Sequence, residues 1–426
     1  MRRTGTLVVG AGQAGLSLSH HLTLTRQPHV VLERGRVGER WRSGTWDSLT
    51  LLTPNWLNRL DGGGAHADPD GFLTAADFVR YLAEYARSQR TPVYERVAVA
   101  GVEHWRDGFR VATDHGIWHA LSVAIAIGDS AEPFVPSLAA SAPAWLHQLH
   151  ASDYRNPDVL PGGGVLVVGA GPSGQQIAAE LRRAGRDVVL AVGRHARALR
   201  RYRGRDFWHW VDALGDLERR LDECADPEAA LKTPSVPLSG ANGGEQLDLA
   251  ALQALGVTIA GRVERFERTR VAFGSGLERE IAAADTRLRR IVDRIDAHIE
   301  EGLPRWAWVP EPVAPVSVSA PPLAGLDLGA GGIRTVIWAT GYRRDYSWLH
   351  VPVLDAAGEL VHREGVTGVP GLVALGLKFQ RRRASHFIGR VGVDAAFIAS
   401  RLARMPRAGR GRRDARGLQP AAHRLS

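Results

Sequence analysis

Two six-residue runs of small side chains carry the clearest chemistry in this chain. Gly10-Ala11-Gly12-Gln13-Ala14-Gly15 follows the apolar Leu7-Val8-Val9, and Gly169-Ala170-Gly171-Pro172-Ser173-Gly174 follows Val165-Leu166-Val167-Val168. In each run the first glycine permits a tight strand-to-helix turn, the second lets the backbone approach a pyrophosphate, and the third lets helix and strand pack closely. The helix that follows presents unpaired amides to phosphate. Each loop leads on to another apolar strand, Val30-Val31-Leu32-Glu33 and Val188-Val189-Leu190-Ala191-Val192. The first ends in Glu33, whose carboxylate suits a ribose diol, with Arg34 next to it. The second ends in Gly193-Arg194-His195, with Arg197, Arg200 and Arg201 following. An arginine there pairs with a 2′-phosphate where a carboxylate would repel it, so the second site reads as NADPH. Hydride gains nothing by passing between two nicotinamides, so the pair implied is a bound FAD in the first site, reduced by NADPH in the second.

Loops of this kind need α/β units to hold them. The expected fold is α/β with two Rossmann-like dinucleotide-binding domains, for FAD and NADPH, the second inserted in the first. The boundaries read as 1–154 for the first part of the FAD domain, 155–330 for the NADPH domain with a helical and loop insertion, and 331–402 for the second part of the FAD domain. Residues 403–426 form a basic tail. Ala75 to Tyr85 has helical periodicity, and alternation between Val97 and Ile127 predicts hairpin strands. The first domain is expected to resume at Ser122 to Gly128 and to be completed by Ile333 to Gly341. A helix over Leu247 to Leu255, a long amphipathic helix over Asp285 to Glu301 and a proline-heavy stretch over 304–322 fill the insertion. That last stretch reads as a lid over substrate or as a surface linker.

Composition narrows the classes. The chain has 426 residues, 44 % hydrophobic and 23 % charged, which fits several domains rather than one core. Its formal charge is +9, yet residues 401–426 hold eight arginines and one aspartate, so the body is nearly neutral and the tail reads as disordered. Nucleic acid is not an expected partner, because the surplus does not sit on folded elements near aromatics. One cysteine, Cys224, allows no intrachain disulfide and no cysteine pair beside a flavin, which argues against a disulfide reductase and for a reducing, cytoplasmic setting. No signal peptide is evident, no apolar run reaches the roughly 20 residues of a membrane span, and the histidines lack metal-ligand spacing. Twelve tryptophans suit a small hydrophobic or aromatic substrate. No surface pattern specifies an oligomer, and a homodimer stays open.

Further residues carry a family likeness. His150-Ala151-Ser152-Asp153-Tyr154 precedes the second glycine loop, Ala339-Thr340-Gly341-Tyr342 follows a late strand, and Gly389-Arg390-Val391-Gly392-Val393-Asp394-Ala395 opens the last helix. With the two loops, and with Trp46-Asp47-Ser48-Leu49 and Thr53-Pro54-Asn55-Trp56, the chain up to about residue 402 resembles the class B flavoprotein monooxygenases. That group holds the flavin-containing, YUCCA-type and Baeyer–Villiger enzymes. Two departures stand out. The family fingerprint F-x-G-x-x-x-H has Ala144, Leu146 and His150 in its three fixed places, and an expected Ala-Thr-Gly reads Ala126-Ile127-Gly128.

The resemblance implies that NADPH reduces FAD, that O2 reacts at the flavin C4a position as a (hydro)peroxide, and that one oxygen atom passes to nitrogen, sulfur, carbon or a ketone. It implies a polar group near the flavin edge at Asn55, with Thr53 close behind, and a hinge histidine at His150 beside the NADP site. It places Arg40 and Trp41 at the flavin entry loop, Thr340 and Gly341 at the return crossing, and Gly392 and Asp394 where the last helix meets FAD. Two alternatives stay open: an NADPH-dependent oxidase or diaphorase producing H2O2, and a non-catalytic flavoprotein partner. The run Lys378 to Arg383 reads as a face for an acidic substrate or for nucleotide phosphates, or as a solvated positive surface.

Overall fold

A strand that is apolar on both faces has to lie inside a covered sheet. The run ending β1 (Arg2–Val9) is such a strand, buried from Leu7 to Val9 and flanked in parallel by β2 (His29–Glu33) and β6 (Gly116–Ile125). The structure, a computed structural model, describes residues 2–129, 131–302, 313–316 and 323–405. Between β1 and β2 runs α1 (Gln13–Leu24), and β3 (Val93–Glu95) pairs with the far side of β2. The alternating segment forms β4 (Val99–Trp105) and β5 (Gly108–Thr113), which join β6 as an antiparallel meander.

The first sheet is completed from the other end of the chain. Leu372–Ala374 pairs in parallel with the C-terminal half of β6. The last helix, Val391–Arg404, lies on α1, with Leu18 and Leu22 in one buried cluster with Ile398 and Leu402. Gln27 Nε2 donates to Ala399 O across that seam at 2.9 Å. The helix α2 (Glu39–Ser43) starts behind Gly38, and α3 (Ala75–Ser88) starts behind Thr74, whose hydroxyl accepts the Asp77 N–H at 3.1 Å.

Crossing to the second sheet, β7 (Glu132–Pro133) is followed by β8 (His147–His150), β9 (Gly164–Val168), α4 (Pro172–Arg183) and β10 (Val188–Ala191). The helices α5 (Phe207–Ala213) and α6 (Leu249–Ala254) precede β11 (Thr258–Ala260), and α7 (Leu277–Gly302) precedes β12 (Ile333–Trp338). The sheet order is β11-β10-β9-β12-β8, with every pair parallel. After β12, β13 (Tyr342–Arg343) returns beside β7 in antiparallel pairing, so the two crossings lie together.

This arrangement corrects one expectation. Ile333 to Trp338 does not complete the first sheet; it is β12 of the second, where Trp338 stands opposite both Val168 and His150. The strand His147–His150 also joins the second sheet, which therefore begins before residue 155. The reason is a repeated construction. Ala126 N–H donates to Val9 O at 2.9 Å in the first sheet, and Ala339 N–H donates to Val168 O at 2.9 Å in the second. Ala126-Ile127-Gly128 thus does for the first loop what Ala339-Thr340-Gly341 does for the second.

The long helix α7 buries Leu288, Val292, Ile295 and Ile299 against Tyr202 and Trp210. Most of the proline-heavy stretch 304–322, and the tail from 406 on, lie outside the described residues. Among the described residues no helix is long and apolar enough to cross a membrane.

Candidate dinucleotide sites

The first glycine loop opens on a cavity of about 820 Å³, in the size class of cofactor clefts. Gly10, Gly12, Gln13, Ala14, Glu33, Arg34, Arg40 and Trp41 all line it. Gly10 has φ +104°, and a Cβ there would come within 2.7 Å of Ala126 O, so only glycine makes this turn. Gly15 faces away from the cavity as the packing residue, since a Cβ on it would strike Gly10 O. A Cβ on Gly12 would meet nothing within 4 Å, which leaves the backbone open to a ligand. No side chain caps the N-terminus of α1, so its first amides remain free to bind phosphate. The Glu33 carboxylate is fixed by two backbone donors, Ala11 N–H at 2.7 Å and Gly35 N–H at 3.0 Å. These features fit FAD. Trp41 also packs edge-on against Phe78 of α3, with ring centroids 5.0 Å apart.

The second loop repeats the geometry. Gly169 has φ +111°, a Cβ on Gly174 would strike Gly169 O, and Gly171 is again open on its Cβ side. Pro172 stands in the first turn of α4 with Ser173 after it, and no side chain caps that N-terminus. Arg194 is exposed just past β10, in the electrostatic field it shares with Arg287 of α7. None of these residues lines the 820 Å³ cavity. The arginines that follow do other work. Arg197 is held between Asp248 at 3.3 Å and Asp285 at 2.9 Å, and Arg200 is buried against the other sheet's loops.

His150 sits where the two crossings meet. Ser152 N–H donates to its Nδ1 at 3.1 Å, which puts the ring proton on Nε2, and that proton goes to Gly341 O at 3.0 Å. Burial is the main cause that pushes its pKa below the ordinary histidine value, and the nearby Arg40 cation adds to it. The Tyr342 ring lies 4.5 Å below the Arg40 guanidinium and 4.9 Å from the His150 ring. Thr340 Oγ1 donates to Phe134 O. Ser152, Asp153 and Tyr342 line the cavity, whereas His150, Thr340 and Gly341 stand behind it.

The remaining sequence candidates lie off the cavity wall. Asn55 opens a short 3-10 turn, Asn55–Leu57, and its Nδ2 donates to Asp68 O at 2.8 Å. Its Oδ1 is buried without a partner among the described residues. Thr53 Oγ1 donates to Asn58 Oδ1 at 2.6 Å. The strand-like Leu49 to Leu52 forms only a single bridge, Thr50 to Thr74. A Cβ on Gly392 would strike the Asp61 carboxylate. Asp394 is fully buried beside Arg381 at 3.2 Å, and burial raises its pKa against the pull of Ser385 and two arginines.

The basic run before the last helix is engaged within the molecule. Arg381 pairs with Asp394, Arg382 with Glu218, and Arg383 approaches Asp216 at 3.7 Å. Lys378 Nζ donates to Leu231 O at 2.8 Å and Thr233 O at 3.1 Å. Lys378, Arg382 and Arg383 tie the end of the chain to the segment after α5, and Arg381 ties it to the last helix.

Sequence reasoning missed Asp129 and Gly376, both on the cavity wall. Asp129 Oδ1 accepts from Arg344 Nε at 2.8 Å, and Gly376 lies against Ala14. Nearby, His386 Nδ1 is buried without a partner among the described residues. Burial, with Lys378, Arg383 and Arg344 adding to it against Asp129, takes its pKa down to about 4. Among the described residues no group of His, Cys, Asp or Glu could hold a metal ion.

A family model for pyridine nucleotide-disulphide oxidoreductases matches residues 7–228, and the chain belongs to that family. It is a flavin- and NAD(P)H-dependent oxidoreductase. Over 395 residues it is 31 % identical to the uncharacterized oxidoreductase CzcO-like of Geobacillus kaustophilus (strain HTA426), covering 92 % of this chain and 96 % of that one. It is 32 % identical over 195 residues to the indole-3-pyruvate monooxygenase YUCCA4 of Oryza sativa subsp. japonica, covering 42 % and 44 % of the two chains. Its fold is shared with the flavin-containing monooxygenase from Stenotrophomonas maltophilia, with a TM-score of 0.63 at 20 % identity over 95 % of this chain and 99 % of that one.

Proposed function

We propose that the chain is an NADPH-consuming, FAD-dependent monooxygenase acting with O2 on a small hydrophobic or aromatic substrate. In this reading two Rossmann-like domains share the work, FAD on the first sheet and NADPH on the second. The observation that carries it is the pairing of two matching glycine loops with opposite ends: Glu33 on the cavity after the first, Arg194 after the second. FAD, when bound, supplies the electron relay from NADPH to oxygen. The protein's part is to bind and to exclude. Gly12 and the amides of α1 would take the pyrophosphate, Glu33 the ribose, and Arg40 and Trp41 the inner wall. Arg194, with Arg287 near it, would take the 2′-phosphate. A single cysteine in the whole chain leaves no dithiol to receive electrons, which supports oxygen over a disulfide as acceptor. The likeness to an indole-3-pyruvate monooxygenase over less than half its length supports an aromatic substrate.

The second reading is an NADPH oxidase that releases H2O2, favoured by the altered fingerprint at Ala144 and Leu146. The test is to supply the purified holoprotein with NADPH, 18O2 and a panel of hydrophobic amines, sulfides, ketones and aromatic 2-oxo acids. Oxygenated product carrying one 18O per NADPH supports the monooxygenase. Peroxide equal to NADPH consumed with every compound establishes the oxidase instead, and a protein that retains no flavin removes both readings.

A further inference from the structure

The loop 51–58 carries Thr53 and Asn55 and belongs to the unit built on the first sheet, yet it is held from the second. Leu52 O accepts two hydrogen bonds from that side, Arg200 Nη1 at 2.8 Å and Trp208 Nε1 at 3.3 Å. Arg200 is only 2 % exposed. Its other Nη pairs with Asp206, its guanidinium lies 4.8 Å over the Phe72 ring, and its backbone N–H donates to Gln246 Oε1 at 2.8 Å. The wall behind is equally tight, because a Cβ on Gly240 would come within 2.3 Å of Leu51 O and 2.7 Å of Phe72. From its own unit the loop is held at other points: Leu51 N–H to Leu73 O, Asn55 N–H to Gly71 O and Trp56 N–H to Pro69 O, each at 2.9 Å, Asn55 Nδ2 to Asp68 O at 2.8 Å, and Gly389 N–H to Leu57 O at 2.7 Å, none of them at Leu52 O.

A buried arginine that gives its donors to a backbone carbonyl of another unit fixes that carbonyl in space, since any withdrawal leaves both groups unpaired and desolvated. Arg200 also stands six residues beyond Arg194 on the same stretch of chain. We propose that Arg200 is a positioning residue that pins Leu52, at the head of the loop carrying Thr53 and Asn55, to the second unit, so that oxygen transfer, but not flavin reduction by NADPH, depends on the docking of the two units. The step it governs rests on the monooxygenase reading above; the hold on the loop does not.

The experiment compares Arg200→Gln, Arg200→Lys and Trp208→Phe with the wild-type holoprotein in amide hydrogen exchange and in steady-state coupling. Exchange in residues 50–58 should rise about tenfold in Arg200→Gln, less in Arg200→Lys, whose cationic side chain, longer than that of glutamine, still reaches Leu52 O, and least in Trp208→Phe. Flavin reduction by NADPH should stay within about twofold, while product per NADPH falls and peroxide rises in the same order. Unchanged exchange in Arg200→Gln overturns the proposal. So does a loss of reduction and coupling by the same factor, or a lysine variant no better than the glutamine. If Arg200→Gln does not fold, Trp208→Phe, which removes one bond to the same carbonyl, decides by the same two readouts. If the wild type yields peroxide without product, the monooxygenase reading fails, and exchange at 50–58 still decides whether Arg200 holds the loop.

Discussion

Glu33 binds two backbone amides of its own unit before any ligand arrives, so its carboxylate is already aimed when a ribose comes within reach. Replacing it with alanine should weaken FAD retention by about 1.5–3 kcal/mol, the usual worth of a hydrogen bond to a charged group, read as flavin bound per protein during dialysis. Arg194→Ala should raise the KM for NADPH roughly 10- to 100-fold and leave that for NADH alone; an unchanged NADPH to NADH preference defeats the assignment. His386 predicts a pH dependence. Its native pKa of about 4 lies below the ordinary value of 6.5, so between those two values the unfolded chain takes a proton that the native one refuses. Stability therefore falls as pH drops from 6.5 to about 4, and His386→Asn should flatten that part of the urea-midpoint curve. The residues Gly10 to Ala14 with Glu33 and Arg34 were legible because one local strand–turn–helix–strand motif places them, and Arg40 and Trp41 through the family resemblance. Asp129 and Gly376 were not, because they reach the same wall only through tertiary pairing of β6 with Leu372–Ala374.

At the scale of elements, the seam between α1 and the last helix links packing to the cavity, since the free amides of α1 face it. Ile398→Ala removes a fully buried side chain from this seam and should cost about 2–5 kcal/mol, lowering Tm and flavin occupancy together. The glycine-loop motif supplied α1, and periodicity supplied α3 and the meander. The sequence misplaced β12 because Thr335 to Trp338 is buried on both faces, and such a run suits the middle of either sheet. What decides is the bond from Ala339 N–H to Val168 O, which no periodicity encodes. The apolar run Leu49 to Leu52 shows the converse: without a neighbouring ladder it stays a loop with one bridge.

At the scale of the molecule, arginines of the nearly neutral body clasp the two units together. Asp216, 2 % exposed, meets Arg219 at 2.5 Å, Arg294 at 2.8 Å and Arg383 at 3.7 Å, which joins the segment after α5, the helix α7 and the end of the chain. Asp216→Ala leaves Arg383 without its carboxylate while the half-exposed Arg219 and Arg294 turn to solvent, and should cost about 1–3 kcal/mol, seen as faster proteolysis between the units. A sequence lists the arginines but not their partners, and Asp216 lies 167 positions from Arg383. One feature reaches further. The chain enters the second sheet on β8 and leaves it on β12, its direct neighbour, with Leu149 opposite Ile337. Entry and exit side by side make the second unit a cassette, because ends that close can be rejoined without disturbing the host. Grafting a cassette of the opposite coenzyme preference between Phe134 and Gly341 would then alter the electron donor while replacing, of the 820 Å³ cavity's wall, Ser152 and Asp153 alone.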